Sequence, residues 1–386
     1  MSTFDRLINE VSNRLRSGAV HLEGEFDQLK ERLGALGRAH DAPAHIRPYR
    51  GFGNSKEFHL QGRLLRGDPE RLSEEKHQPL ENLLAAFRRF ESDEMPGVEV
   101  QVSFGGVSRR LETDEEGYYG ATLPIDGVSD DGATAWHDVE IRADVRGPDS
   151  STAALHLEAA CPVLVPSRDA RVGIISDLDD TVLVTGATRV VSMVRRSLFE
   201  NAWQRVPFGG VGALFRGLES GGGSGPDNPF FYVSSSPHNL YVPLVQFLEI
   251  RQLPRGPVLL RDVGLTRDRW LKDAHDEHKA EKIDRILGTY PDLPFVLIGD
   301  SGQHDAKIYL DASLRHPGRV LAIYIRDEIG DGRLTGLVTE AERHGTPMVL
   351  ARDSEAIAHH AAGLGIVAPD IPDRVREAIA RERAND

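Results

Sequence analysis

The sequence predicts an α/β chain built around a doubly wound domain over residues 167–368. A β-sandwich with a helical insertion precedes it over 58–166, N-terminal helices occupy 1–57, and a helical tail follows over 369–386. Three observations carry this reading. From Arg171 onward, unbroken apolar runs alternate with helical patterns: VGIIS (172–176), FFYV (230–233), FVLIG (295–299), VLAIYI (320–325) and MVL (348–350). Apolar strands separated by helices imply a parallel sheet covered on both faces. Before that point, apolar and polar residues alternate, as in half-buried strands. In the first forty residues, Ile8, Leu15, Leu22, Leu29 and Leu36 recur at a heptad interval.

The β-region is anchored by Val98, Val100, Val102 and Phe104, and again by Val139, Ile141, Ala143 and Val145. TDEEGYYGATL (113–123) offers a turn followed by an aromatic strand. It resembles the hairpin of small transthyretin-like or carboxypeptidase-regulatory-like sandwiches. Leu80 to Phe90 reads as an inserted helix. Gly18 and Gly24 interrupt the N-terminal stripe, so two shorter helices serve as well as one long one. Packing against the chain's own body is favoured there over a partner or membrane helix. SGGGSGPDNP (220–229) reads as a surface loop, because no strand precedes its glycines and no Lys-Ser/Thr pair follows.

Composition narrows the function without reaching it. With 386 residues the chain has room for two or three domains, and 40% hydrophobic residues can bury a core. The net charge of -14 argues against a general nucleic-acid binder, which needs a basic face. Cys161 is the only cysteine, which excludes an intramolecular disulfide and argues against a thiolate zinc site. The opening MSTFDRLINEVSNRL does not read as a signal peptide. No stretch approaches the roughly 20 apolar residues of a membrane span. A cytoplasmic protein is expected, with peripheral membrane contact as an option.

The chemistry concentrates in VGIISDLDDTVLVTGA (172–187), where Asp177, Asp179, Asp180 and Thr181 follow an apolar strand at once. Ligands of doubly wound sheets bind beyond the carboxyl ends of the strands. Acids this close repel one another, and a bound cation is the natural compensation. Oxygen ligands of this kind suit Mg²⁺. A helix N-cap accounts for one such Asp but poorly for three.

The pattern Asp-x-Asp-x-Thr after a strand resembles the first motif of the haloacid-dehalogenase superfamily, whose fold is Rossmann-like. The resemblance implies that Asp177 attacks phosphorus and forms an aspartyl-phosphate. It implies that Asp179 protonates the leaving oxygen and then deprotonates the hydrolytic water. Thr181 completes the motif. Ser234, directly after FFYV, matches the second motif, whose hydroxyl holds a phosphoryl oxygen. HDEHKAEKIDRIL (275–287) supplies the third-motif lysine, and Lys279 fits the family phrase better than Lys282. His275, Asp276, Glu277 and His278 read as solvated helix-start residues rather than a metal cluster. FVLIGDSGQHD (295–305) resembles the fourth motif, with Asp300 a direct metal ligand and Asp305 a support. The implied metal set is Asp177, Asp179, Asp300 and Asp305, holding Mg²⁺.

Longer phrases extend the resemblance. DLDDTVLVTGATR, LFENAWQRVPFGGVGALFRGL, YVSSSPHNLY and YPDLPFVLIGDSGQHDAKIY together are similar to the actin-patch phosphatidate phosphatase family of fungi and its bacterial relatives. That family removes phosphate from phosphatidate with Mg²⁺, giving diacylglycerol. It often has an aromatic residue where this chain has His238. The resemblance implies a phosphomonoester substrate, with a phosphatidate-like lipid first. A phosphatase for a soluble phosphate compound is the nearest alternative. A scaffold with an idle site and a partner-binding sandwich is the other; the partner itself is unknown. Between the first two motifs, Val190, Val194, Leu198 and Ala202 make an apolar face ringed by Arg189, Arg195, Arg196 and Arg205. This helix either touches phospholipid head groups or caps its own sheet.

Overall fold

The computed structural model describes residues 43–66, 93–126, 128, 134–145, 154–178, 209–223, 227–261, 272–301, 304–327, 330 and 332–385. Within Ala44–Leu65, Glu94–Val182 and Arg205–Asp386, which form one compact unit, these residues build two sheets.

The second sheet positions the chemistry. It has six strands: β9 (Gly173–Asp177), β10 (Phe230–Pro237), β11 (Val258–Arg261), β12 (Phe295–Asp300), β13 (Val320–Arg326) and β14 (Met348–Ala351). Their order is β11-β10-β9-β12-β13-β14, and every neighbouring pair is parallel. The five apolar runs all form strands of it; VLLR, now β11, was not foreseen. Consecutive residues point to opposite faces, as strand geometry requires. Ile174, Phe230, Tyr232, Val296 and Ile298 join one core cluster. Ile175, Phe231, Val233, Phe295 and Leu297 join the other.

Helices cover both faces. α1 (Val211–Ser220), α2 (Tyr241–Ile250), α6 (Ser354–Gly363) and α7 (Ile371–Asn385) contribute to the first cluster. α3 (Lys272–Thr289), α4 (Asp305–Arg315) and α5 (Thr335–Arg343) contribute to the second. The expected C-terminal tail is therefore part of the α/β core. Ile371, Val375 and Ile379 are buried at helical spacing and pack onto Gly210 and Gly217.

The first sheet differs from expectation in two ways. Residues 44–53, assigned to the N-terminal helical segment, form strand β1 (Ala44–Gly53). In AHIRPYRGFG, buried Ala44, Tyr49 and Phe52 sit where a ladder partner is available, and β1 runs parallel to β8 (Leu155–Val165). That long-range pairing overrides any local helical preference. The strands also join one eight-stranded sheet rather than two packed sheets. β2 (Glu57–Arg66), β3 (Asp93–Glu94), β4 (Glu99–Phe104), β5 (Val107–Glu112), β6 (Tyr118–Pro124), β7 (Ala135–Val145) and β8 (Leu155–Val165) complete it. β1 supplies the link, pairing β2 on one side and β8 on the other. Their inward residues, among them Phe58, Leu64, Val100, Leu123, Ile141 and Val163, meet in one cluster. The N-terminal stripe, the helix expected at Leu80–Phe90 and the arginine-ringed helix lie outside the described residues.

The two sheets meet through aromatic side chains. Phe52 of β1 lies edge-on to Phe231 of β10, with centroids 5.9 Å apart. Phe231 also packs on Tyr290 at 5.5 Å and Phe295 at 6.1 Å. Phe231→Ala should cost about 3–5 kcal/mol of stability, because a fully buried ring is removed where two sheets converge. Denaturant unfolding followed by circular dichroism checks this; a loss under about 1 kcal/mol would contradict the packing.

Candidate active site

The strand order places β9 inside the sheet. The chain leaves β9 to build β10 and β11 on one side, then returns to build β12 and β13 on the other. Such a reversal opens a crevice at the carboxyl ends of the central strands, where helices diverge. Asp177 is the last residue of β9, and Val233 lies opposite it on β10, so Ser234 emerges just beyond. On the other side Ser176 faces Ile298, so Asp300 leaves β12 close to Asp177.

α3 and α4 complete the arrangement. Asp305 is the first residue of α4, where a negative charge is favoured by the exposed N–H groups. Its Oδ2 accepts from the Asp300 backbone N–H at 3.4 Å. Lys279 is buried on α3, and its Nζ donates to Asp177 Oδ1 at 2.8 Å and to Asp305 Oδ1. Lys282 points elsewhere, to the carbonyl of Leu260. Lys279 is thus the lysine that reaches the carboxylates.

Asp177, Asp300 and Asp305 offer carboxylate oxygens that all lie within 4.8 Å of one another. Asp300 is 4% exposed, Asp305 0% and Lys279 3%. Burial pushes the Asp305 carboxyl above its ordinary range; the Lys279 ammonium opposes that push and the Asp300 charge adds to it. The donor set is all oxygen and anionic, which fits a hard divalent cation such as Mg²⁺. Ser234 is buried at the mouth, and its Oγ accepts from the Ser236 backbone N–H at 3.0 Å. The structure therefore brings together Asp177, Ser234, Lys279, Asp300 and Asp305 at one end of the sheet. Asp179, Asp180 and Thr181 lie outside the described residues.

Two contributors were not anticipated. Gly299 precedes Asp300, and a Cβ there would lie 2.5 Å from Asp305 Oδ2 and 2.8 Å from Tyr309 Cε2. Glycine is required because the Asp305 carboxyl passes directly over the strand. Tyr309, fully buried, donates its hydroxyl to the Ile298 carbonyl at 3.1 Å and walls off the far side. The sequence signal was the Gly-Asp pair ending an apolar run, with an acid five residues later.

The parallel sheet thus carries clustered carboxylates and a buried ammonium at its carboxyl edge. Comparison with known proteins narrows this. Residues 172–327 match the family described as phosphatidate phosphatase APP1, catalytic domain. Phosphatidate phosphatase APP1 of Saccharomyces cerevisiae is 35% identical over 159 residues, covering 40% of this chain and 26% of that protein. Over these residues the chain is similar to a phosphatidate phosphatase catalytic domain. An uncharacterized protein of Schizosaccharomyces pombe, C29B5.04c, is 27% identical over 161 residues, covering 42% of this chain and 26% of its own length. The chain thus spans about a quarter of the length of these relatives. Among solved structures, a carbohydrate acetylesterase from Xanthomonas citri aligns over 83% of this chain and 76% of its own, at 12% identity and a TM-score of 0.25. That likeness is too slight to carry an argument.

Gly299→Ala should drive the Asp305 carboxyl off the strand and loosen its contact with Lys279. A loss of about 1–3 kcal/mol is expected from overpacking at so tight a point. Chemical denaturation checks it, and a change within about 0.5 kcal/mol would show that the contact is not constraining.

Proposed function

We propose that this chain is a Mg²⁺-dependent phosphomonoester hydrolase of the haloacid-dehalogenase type, acting through an aspartyl-phosphate on Asp177, with phosphatidate as its substrate. The observation that carries the proposal is the buried Lys279 ammonium touching Asp177 and Asp305 beside Asp300. The match of residues 172–327 to a phosphatidate phosphatase catalytic domain supports the reaction class and the substrate. The all-parallel sheet with Asp177 on an inner strand supports the superfamily reading.

In this reading Asp177 is the nucleophile. Its carboxylate oxygen forms a bond to phosphorus as the bond from phosphorus to the alcohol oxygen breaks. Asp179 gives its proton to the departing alkoxide, so the alcohol leaves neutral. It then takes a proton from a water that attacks the same phosphorus. The phosphorus–Asp177 bond breaks, inorganic phosphate departs and the carboxylate is restored. Lys279 holds Asp177 through its hydrogen bond, and its charge balances the incoming phosphate. The Ser234 hydroxyl holds a non-bridging phosphoryl oxygen. A Mg²⁺ ion held by Asp177 and Asp300, with Asp305 behind them, would supply electrostatic stabilisation of the phosphoryl charge.

Released phosphate measured on phosphatidate vesicles and on a soluble aryl phosphate tests this. Wild-type turnover should require Mg²⁺, vanish in EDTA and return when Mg²⁺ is restored. Asp177→Asn should lower turnover by roughly 10³-fold or more while the protein stays folded. Near-normal activity in that variant would sink the nucleophile assignment. Turnover of the aryl phosphate with none of phosphatidate would leave the chemistry standing and remove the lipid.

A further inference from the structure

Among its contacts with the α/β domain, the eight-stranded sheet touches two elements that carry site residues. The first is the end of β10. Beyond Ser234 this strand runs on to Pro237, which pairs with Arg261 of β11, and then turns through His238–Leu240 into α2. The position of Ser234 depends on where this turn is held, because the Ser236 N–H is bonded to the Ser234 hydroxyl.

His238 is the pin. Its ring is 3% exposed and stacks on Tyr49 of β1, with centroids 4.9 Å apart and planes 26° apart. Tyr118 of β6 tilts against its ring at 5.4 Å. The ring Nδ1–H donates to the Arg261 carbonyl at 3.0 Å, since a carbonyl can only accept. Three residues on, the Tyr241 hydroxyl accepts from the Arg50 backbone N–H at 2.7 Å, and its ring lies 4.5 Å from that of Tyr49. Tyr118 is itself fixed by the guanidinium of Arg63, 4.4 Å from its ring centre.

The second place is the end of α3, the helix that carries Lys279. Asn54 Nδ2 donates to the Thr289 carbonyl at 2.8 Å, and His59 Nε2 meets the Thr289 hydroxyl at 3.1 Å. These two contacts come from the β1–β2 turn and from β2.

We infer that the eight-stranded sheet is a positioning part of the active site: Tyr49 and Tyr118 clamp His238 and so hold Ser234 where a phosphoryl oxygen must sit. This rests on the phosphatase reading above. Neither tyrosine contacts substrate in this account; both act through His238. Rings suit the task because stacked and tilted aromatic pairs fix orientation as well as distance.

The test uses the full chain and two readouts. Hydrogen exchange of residues 234–241 should speed up in Tyr118→Ala, while residues 295–300 of β12 stay protected. With the aryl phosphate, Tyr118→Ala should lower kcat by about tenfold or more, as expected for a misplaced binding group. Tyr118→Phe, which keeps the ring, should restore both. In a Ser234→Ala background, Tyr118→Ala should cost less than about twofold, because the group it positions is gone. Unchanged exchange at 234–241, or full additivity with Ser234→Ala, would overturn the inference. If Tyr118→Ala does not fold, His238→Leu probes the same contact from the other side with the same readouts. A wild type with no turnover would sink the phosphatase reading alone, since the exchange experiment needs no activity.

Discussion

The ammonium of Lys279 lies between Asp177 and Asp305, nearly sealed from water, and the rest of the site is arranged around it. A buried charge without partners is strongly destabilising, so this lysine must find carboxylates. The carboxylates, equally buried, need it in return. α3 delivers the ammonium from one side of the sheet, anchored by Ile283, Ile286 and Leu287. β9, β12 and α4 deliver the acids. The clustered carboxylate oxygens are of the kind a hard divalent cation takes. The phosphate dianion proposed as substrate would in turn be drawn to cation and lysine together.

Topology makes this convergence possible. Asp177 and Asp300 stand on adjacent parallel strands at the point where the chain reverses its direction of sheet growth. Asp305 follows Asp300 by only five residues because the connection from β12 to α4 is short, and Gly299 leaves room for its carboxyl to fold back. The turn that follows Ser234 is held from far away in sequence: it is stacked against tyrosines of the first sheet. The site is thus shared between local motifs, which supply reactive groups, and distant aromatic packing, which sets their frame.

Much of the α/β domain was legible because its strands are buried on both faces and read as unbroken apolar runs. β11 escaped because VLLR is short and ends in Arg261, with a partly buried Leu259. Asp177, Ser234, Lys279, Asp300 and Asp305 were legible because each stands at a fixed offset from an apolar run or on a charged helix. Strand β1 was not legible: its Arg47, Pro48 and Arg50 mask the alternation, and its place is set by pairing with β8, more than a hundred residues away. His238 stood out only as a departure from a family pattern. Its role depends on Tyr49 and Tyr118, whose meeting no local sequence signal encodes.

Lys279 and Asp305 are held as a mutually compensating buried pair. A double-mutant cycle on stability in EDTA tests it most directly. Lys279→Met should cost about 3–5 kcal/mol, because Asp305 is left buried beside other acids without its cation. Adding Asp305→Asn should recover a large part of that loss, giving a coupling of about 1–3 kcal/mol. Losses that simply add, or a Lys279→Met protein as stable as the wild type, would contradict the account.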